Sequence, residues 1–341
     1  MPRAVWVLLF LFPAPAAASS SPDSDSLRRL HEGFAKLRSR TSPAAPEGIV
    51  CSQPFRVDSH VRGAYFRKVE SVASTRYAGI RAEVLLPLVQ FDPDRSFSPG
   101  PGQPAHWEGP LDRPSVYVGA HTSAKEVDAG LTWDRVYDEE GRPAFTDLPS
   151  GCDGGDRSHR FSVSRLDGRR LRPDFAFRPF WRTTAGQGNQ WHNPPAGDPN
   201  YFYPGQSLVV ALRVRTDGTM RLDIRPARGT GRHFTKAFPQ EGFADGQESS
   251  FKRVASIDQF RVAGGSRRGN EGMDVLPTRT SVKGMVWSQV FLLTSGRPSK
   301  MSGSTCREVA GADTAKDYAV IFSINPDRDG GESLDIRPPQ P

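Results

Sequence analysis

The sequence predicts an all-β protein, an antiparallel two-sheet sandwich with a short N-terminal helix. Three observations carry this. In residues 201–226, Leu208, Val210, Leu212 and Val214 share one parity while Arg213 and Arg215 hold the other. After Asp217-Gly218 the alternation resumes, with Met220, Leu222 and Ile224 against Arg221, Asp223 and Arg225. Period-two alternation on both sides of an Asp-Gly turn is the signature of a β-hairpin. The pattern then recurs: the Asp-Gly and LDIRP of 217–226 reappear at 329–338, with Tyr318, Val320, Phe322 and Ile324 sharing a parity before them. Finally, 33 glycines and 30 prolines in 341 residues fit many turns and few long helices.

Taken in order, the chain opens with Arg3, a nine-residue apolar run at 4–12, and Ala16-Ala17-Ala18. This is the plan of a secretory signal peptide cleaved after Ala18. The run is shorter than the ~20 residues that a spanning helix needs, and no later stretch is long and apolar enough, so the mature chain is expected to be secreted without a transmembrane segment. Residues 23–40 repeat Leu27, Leu30, Phe34 and Leu37 at helical spacing, with Arg28, Arg29, Lys36 and Arg38 opposite. With Pro43 and Pro46 as linker, 19–48 is expected to be an N-terminal helix and linker, packed on the domain or a leader, with a propeptide or a membrane-surface helix as alternatives, and 49–341 the sandwich domain.

Strands are expected within 77–88, at 116–119, 127–137, 160–165, 175–183 and 251–262, and over 280–294. The last carries large apolar residues on both parities, Met285, Trp287, Phe291 and Leu293 against Val282, Val286, Val290 and Leu292. That reads as a central strand covered on both faces. Residues 92–114, 147–158, 184–200, 227–250, 264–274 and 295–317 read as loops.

The net charge of +7 is spread along the chain. It implies attraction to acidic surfaces such as anionic polysaccharides, and no recognition helix or RNA-binding aromatic motif accompanies it, so no nucleic-acid partner is expected. Cys51, Cys152 and Cys306 give one disulfide and one free thiol in an oxidising compartment, with the pairing open. No histidine pair has metal-ligand spacing. Asn325-x-Asp327-x-Asp329-Gly330 opens like a calcium loop but has Ile336 at its twelfth position, and the hairpin repeat accounts for its Asp-Gly. Neither metal nor cofactor is expected.

Two clusters suggest chemistry. Trp181, Gln190, Trp191, His192, Asn193, Tyr201 and Tyr203 gather aromatic faces and directional polar groups around the loop that feeds the first hairpin. An apolar wall with a few polar groups suits a sugar ligand; the alternative is that Trp181, Tyr201 and Tyr203 are core. Glu126 and Asp128 alternate on one strand and so project together, and Asp258 lies on another. Paired carboxylates can divide acid and base roles; the alternative is solvated partners for the many arginines.

The order of Tyr77-Ala78-Gly79, Val84-Leu85-Leu86-Pro87, Val116-Tyr117-Val118-Gly119, Asp128-Ala129-Gly130-Leu131, Phe180-Trp181 and Pro204-Gly205-Gln206 resembles the glutamic peptidases (eqolisins). The resemblance, over about residues 75–295, implies a concanavalin-A-like jelly roll. That family's catalytic pair is a glutamine and a glutamate. The glutamine slot holds Asp128 here, and the strand that should carry the glutamate offers Ser256-Ile257-Asp258. The pair does not carry over. The first functional expectation is therefore an extracellular glycan-binding sandwich; the second is a hydrolase using Glu126, Asp128 or Asp258; the third is a structural envelope protein.

Overall fold

The computed structural model describes residues 51, 56–57, 63–97, 109–136, 175–185, 188–195, 198–263, 266–269, 274–311, 321–327 and 331–341. The expected signal peptide, N-terminal helix, 147–158 loop, 160–165 strand and Cys152 lie outside these residues. Inward alternation on most strands produces two facing sheets, nearly all antiparallel. The first runs β1 (Arg56–Val57), β18 (Cys306–Gly311), β2 (Ala64–Ser71), β14 (Ser250–Ala263), β7 (Asp112–His121), β8 (Glu126–Arg135), β9 (Phe175–Ala185) and β10 (Gly188–His192), with β15 (Ser266–Gly269) beside β14. The second runs β13 (Phe234–Pro239), β12 (Thr219–Pro226), β11 (Ser207–Val214), β3 (Gly79–Leu85), β16 (Ser281–Leu293), β20 (Glu332–Ile336) and β19 (Phe322–Pro326), with β4 (Leu88–Gln90) and β17 (Ser299–Lys300) along β16. A two-stranded ribbon joins β5 (Ser96–Phe97) to β6 (Gly109–Pro110).

Both hairpins lie in the second sheet, β11–β12 outside β3 and β19–β20 outside β16. Leu222 and Ile224 of one, and Leu334 and Ile336 of the other, point into the core between the sheets. Gly218 has φ +75°, which a glycine adopts without the penalty a side chain would bring. The Asp329-Gly330 turn lies outside the described residues.

The expectation that β16 is covered on both faces is corrected by its geometry. Its core residues are Val282, then Met285 and Trp287, then Val290 and Leu292, so the inward parity switches twice. Each switch coincides with a register shift, one against β20 between Val282 and Met285 and one against β3 between Ser288 and Phe291. Gly284 (φ +71°) and Gln289 (φ +49°) sit at these bulges. An extra residue moves the next side chain to the opposite face, which is why both parities read as apolar. Elsewhere the expected loops contain short strands: β10 within 184–200, β13 within 227–250, β15 within 264–274, β17 and β18 within 295–317, and β5, β6 and the start of β7 within 92–114.

Cys51 and Cys306 form a disulfide beside β18. The core also holds charge. Arg67 on β2 and Arg253 on β14 point inward, and Glu332 on β20 reaches across from the other sheet. Glu332 meets Arg67 at 2.8 Å and Arg253 at 2.6 Å, and Glu308 meets Arg67 at 2.7 Å. The Arg253 guanidinium lies 5.7 Å from the centre of the Trp287 ring. Burial opposes ionisation of Glu332, but the two arginines outweigh it and bring its carboxyl down to about 2.

Candidate functional site

The outer face of the first sheet is assembled by strand register. Lys252 on β14 is opposite Gly119 on β7, Gly119 is opposite Asp128 on β8, Asp128 is opposite Arg182 on β9, and Arg182 is opposite Trp191 on β10. These residues form one row across five strands. Lys252 Nζ lies 2.7 Å from Asp128 Oδ1 and also bonds Glu126. Arg182 approaches the other Asp128 oxygen at 3.8 Å. Gly119 makes the bridge possible: a Cβ there would fall 2.6 Å from both Asp128 Oδ1 and Lys252 Cε. Burial disfavours the Lys252 ammonium, yet Asp128 and Glu126 outweigh that and raise its pKa. The same ammonium lowers Glu126 against the opposing effect of burial.

Glu126 and Asp128 thus project together, held by one cation. Asp258 lies on the same face, where it accepts a 3.0 Å bond from Ser256. Burial is the main cause that raises its pKa, and the negative charge of Asp128 adds to it. Tyr117 sits in their field; burial, then Asp128, Asp258 and Glu126, push its phenol well up. On the strand that the peptidase resemblance assigns to the glutamate, the residue against Asp128 is Lys252 rather than Asp258.

A second polar cluster adjoins the row. Ser250 donates to Glu70 at 3.0 Å and lies 3.0 Å from His121 Nδ1, which is itself 2.7 Å from Glu70. Burial would raise the Glu70 carboxyl, but His121, Lys68 and Arg307 together bring it to about 2. The hydroxyl also lies 3.3 Å from His121 Nε2, but it donates directly to Glu70, so the imidazole does not separate hydroxyl from carboxylate as it does in a nucleophile relay.

The aromatic cluster is divided by the pleat. Trp191 stacks on Phe180 with centroids 4.2 Å apart and planes 5° from parallel. Its Nε1 donates to Asn193 Oδ1 at 3.0 Å, and Asn193 donates to the Pro179 carbonyl at 2.9 Å. Trp191 remains 44% exposed, a fixed aromatic surface at the end of the ionic row. Gln190 and His192 alternate with Trp191 on β10 and so take the opposite face. His192 stacks on Trp181 at 5.6 Å and lies 3.2 Å from the Thr183 hydroxyl. Trp181 is buried in the main core, and Tyr201 and Tyr203 are buried with Val136 and Ala176. Of the aromatic residues proposed from sequence, only Trp191 offers solvent a large surface.

Glu70, His121 and Lys252 were not singled out by sequence. The available signal was their parity: each alternates with core residues, and only a register assignment brings them together. Among the described residues no group of three His, Cys, Asp or Glu side chains could hold a metal ion, and no helix is long and apolar enough to cross a membrane.

No protein-family model matches the chain, and no curated relative matches it. Solved structures resemble it in layout. Scytalido-glutamic peptidase with a transition state analog inhibitor has a TM-score of 0.41 at 8% identity, over 80% of this chain and 97% of that one. SCP-B, an eqolisin-family peptidase in complex with the tripeptide Ala-Ile-His, has a TM-score of 0.39 at 7% identity over the same shares. The alginate lyase from Klebsiella pneumoniae has a TM-score of 0.25 at 10% identity, over 66% of this chain and 64% of that one.

Proposed function

We propose that the chain is a secreted glycan-binding protein whose ligand lies along the outer face of the first sheet. The observation that carries this reading is Trp191, clamped parallel to Phe180 and tied by Asn193, yet open to solvent on its other side. A fixed aromatic face suits the C–H face of a sugar ring. Arg182, next to Trp191 in the ladder, and Glu126, farther along the same face, both reach solvent and supply hydroxyl partners. A glycan array comparing the native protein with Trp191→Ala tests the site. Loss of signal from the variant is expected; equal signals from both would remove Trp191 from any role in binding.

Hydrolysis is the second reading, and a specific arrangement favours it: Asp258 is raised by burial and by Asp128 on the same face, while Asp128 itself is held between Lys252 and Arg182. Carboxyls in unlike environments can divide acid and base roles. Product release from polysaccharide and peptide libraries, compared with Asp258→Asn, tests it. Release that Asp258→Asn leaves unchanged would dismiss this carboxyl.

A further inference from the structure

The outer face of the second sheet carries a different chemistry. β11 presents Val209, Ala211 and Arg213 outward. Val209 is opposite Glu83 on β3 and Arg225 on β12; Ala211 is opposite Arg81 and Asp223; Arg213 is opposite Gly79 and Arg221. Small side chains on the middle strand, flanked by long ones, leave a groove. The result is an open cavity of about 210 Å³ lined by Arg81, Arg213, Arg221, Arg225, Asp223 and His233 over a Val209–Ala211 floor.

The charges in this groove do not balance. Asp223 is engaged by Arg221 at 2.9 Å and by the Thr235 hydroxyl at 2.7 Å. Arg81 has Glu83 at 3.6 Å. Arg213 and Arg225 are exposed and have no ion-pair partner among the described residues. Arg213 and Arg221 are directly opposite across the ladder, an arrangement of like charges that destabilises a sheet. An anion in the groove would relieve it.

We infer that this groove is a binding site for an acidic polysaccharide, one whose carboxylates are taken up by Arg213, Arg225 and their neighbours. Guanidinium forks match carboxylate geometry in two-point contact. The lining contains no Phe, Tyr or Trp, and its one ring, His233, is engaged with Thr235 and Asp223, so it offers no series of stacking platforms for nucleic-acid bases. Nor does it contain a protruding apolar side chain of the kind that enters a bilayer surface. The site lies on the sheet opposite Trp191 and does not depend on the glycan site proposed there.

The test is titration of the full chain with oligogalacturonate at fixed, low salt. Arg213→Glu/Arg225→Glu is expected to weaken binding at least tenfold. Arg76→Glu/Arg297→Glu, an equal charge change at exposed positions outside the groove, is expected to change it less than twofold. Equal losses from both would reduce the effect to net charge and overturn the site. Tighter binding of duplex DNA or of phosphatidylglycerol vesicles, lost in the same arginine variant, would overturn the choice of partner. Absence of binding by the native chain would overturn both. Thermal melts check folding, and Arg213→Gln/Arg225→Gln, expected to weaken binding in the same direction, serves if the reversal misfolds. Trp191→Ala is expected to bind as the native chain does; loss there would refute the independence of the two sites.

Discussion

The two hairpins carry the same LDIRP segment, lie in the same sheet and turn their Leu and Ile inward, but their remaining positions diverge. In the first, Met220 points into the apolar core, and Arg221 and Arg225 face outward beside Arg213. In the second, Glu332 occupies the place of Met220 and is as fully buried, between Arg67 and Arg253. Ser333 occupies the place of Arg221. Each Asp of LDIRP is bonded by an arginine, Asp223 by Arg221 and Asp335 by Arg337. The repeat therefore specifies a ribbon: its parity and its inward Leu and Ile. The positions between those anchors are free to take charge, inward in one copy and outward in the other.

The comparison can be broken most sharply at Glu332. Glu332→Met makes the second copy resemble the first, but leaves Arg67 and Arg253 buried without their shared anion. A loss of about 3–5 kcal/mol in urea unfolding is expected, and a loss under about 1 kcal/mol would show that the inward charge is incidental. The same pair sets an acid limb. The Glu332 carboxyl is held at about 2 against an ordinary 4.5. A folded pKa below the unfolded one stabilises fully above about pH 4.5, and that contribution is lost as pH falls through about 2. Glu70, also held at about 2, shares this window. Urea midpoints measured from pH 7 to pH 2 should fall less steeply for Glu332→Met than for the native chain; parallel curves would contradict the assignment.

The shared anchors sharpen the comparison. Leu222→Ala and Leu334→Ala, at equivalent and equally buried positions, should each cost about 3 kcal/mol and agree within about 1 kcal/mol. A large inequality would mean that the two ribbons are not packed alike. The smallest effect is expected at Arg213→Gln. Removing one member of the like-charged Arg213–Arg221 pair should shift stability by no more than about 0.5 kcal/mol, in the stabilising direction. A clear destabilisation would show that Arg213 has a stabilising role within the fold.

Legibility in the sequence followed how local each feature is. β11 and β12 were visible because their alternation is uninterrupted and a glycine marks the turn. β16 was visible as a strand, but its two bulges made both parities apolar and concealed the single inward face. β10 was hidden because Gly188–His192 is polar apart from Trp191, and β2 because Arg67 and Glu70 are charged residues that are buried. In the site, Glu126 and Asp128 were legible because residues two apart on a strand share a face. Lys252, which unites them, was not.

From the chain alone came the all-β character, the repeated ribbon, the shared face of Glu126 and Asp128, and the aromatic richness near Trp191. Each depends on a period of two within a few residues. The tertiary structure decided that Gly119 leaves room for Lys252 to reach Asp128, that Trp191 faces away from Gln190 and His192, and that Arg213 confronts Arg221. Those outcomes depend on which strands become neighbours and in what register, and that choice is made by the packing of the whole core.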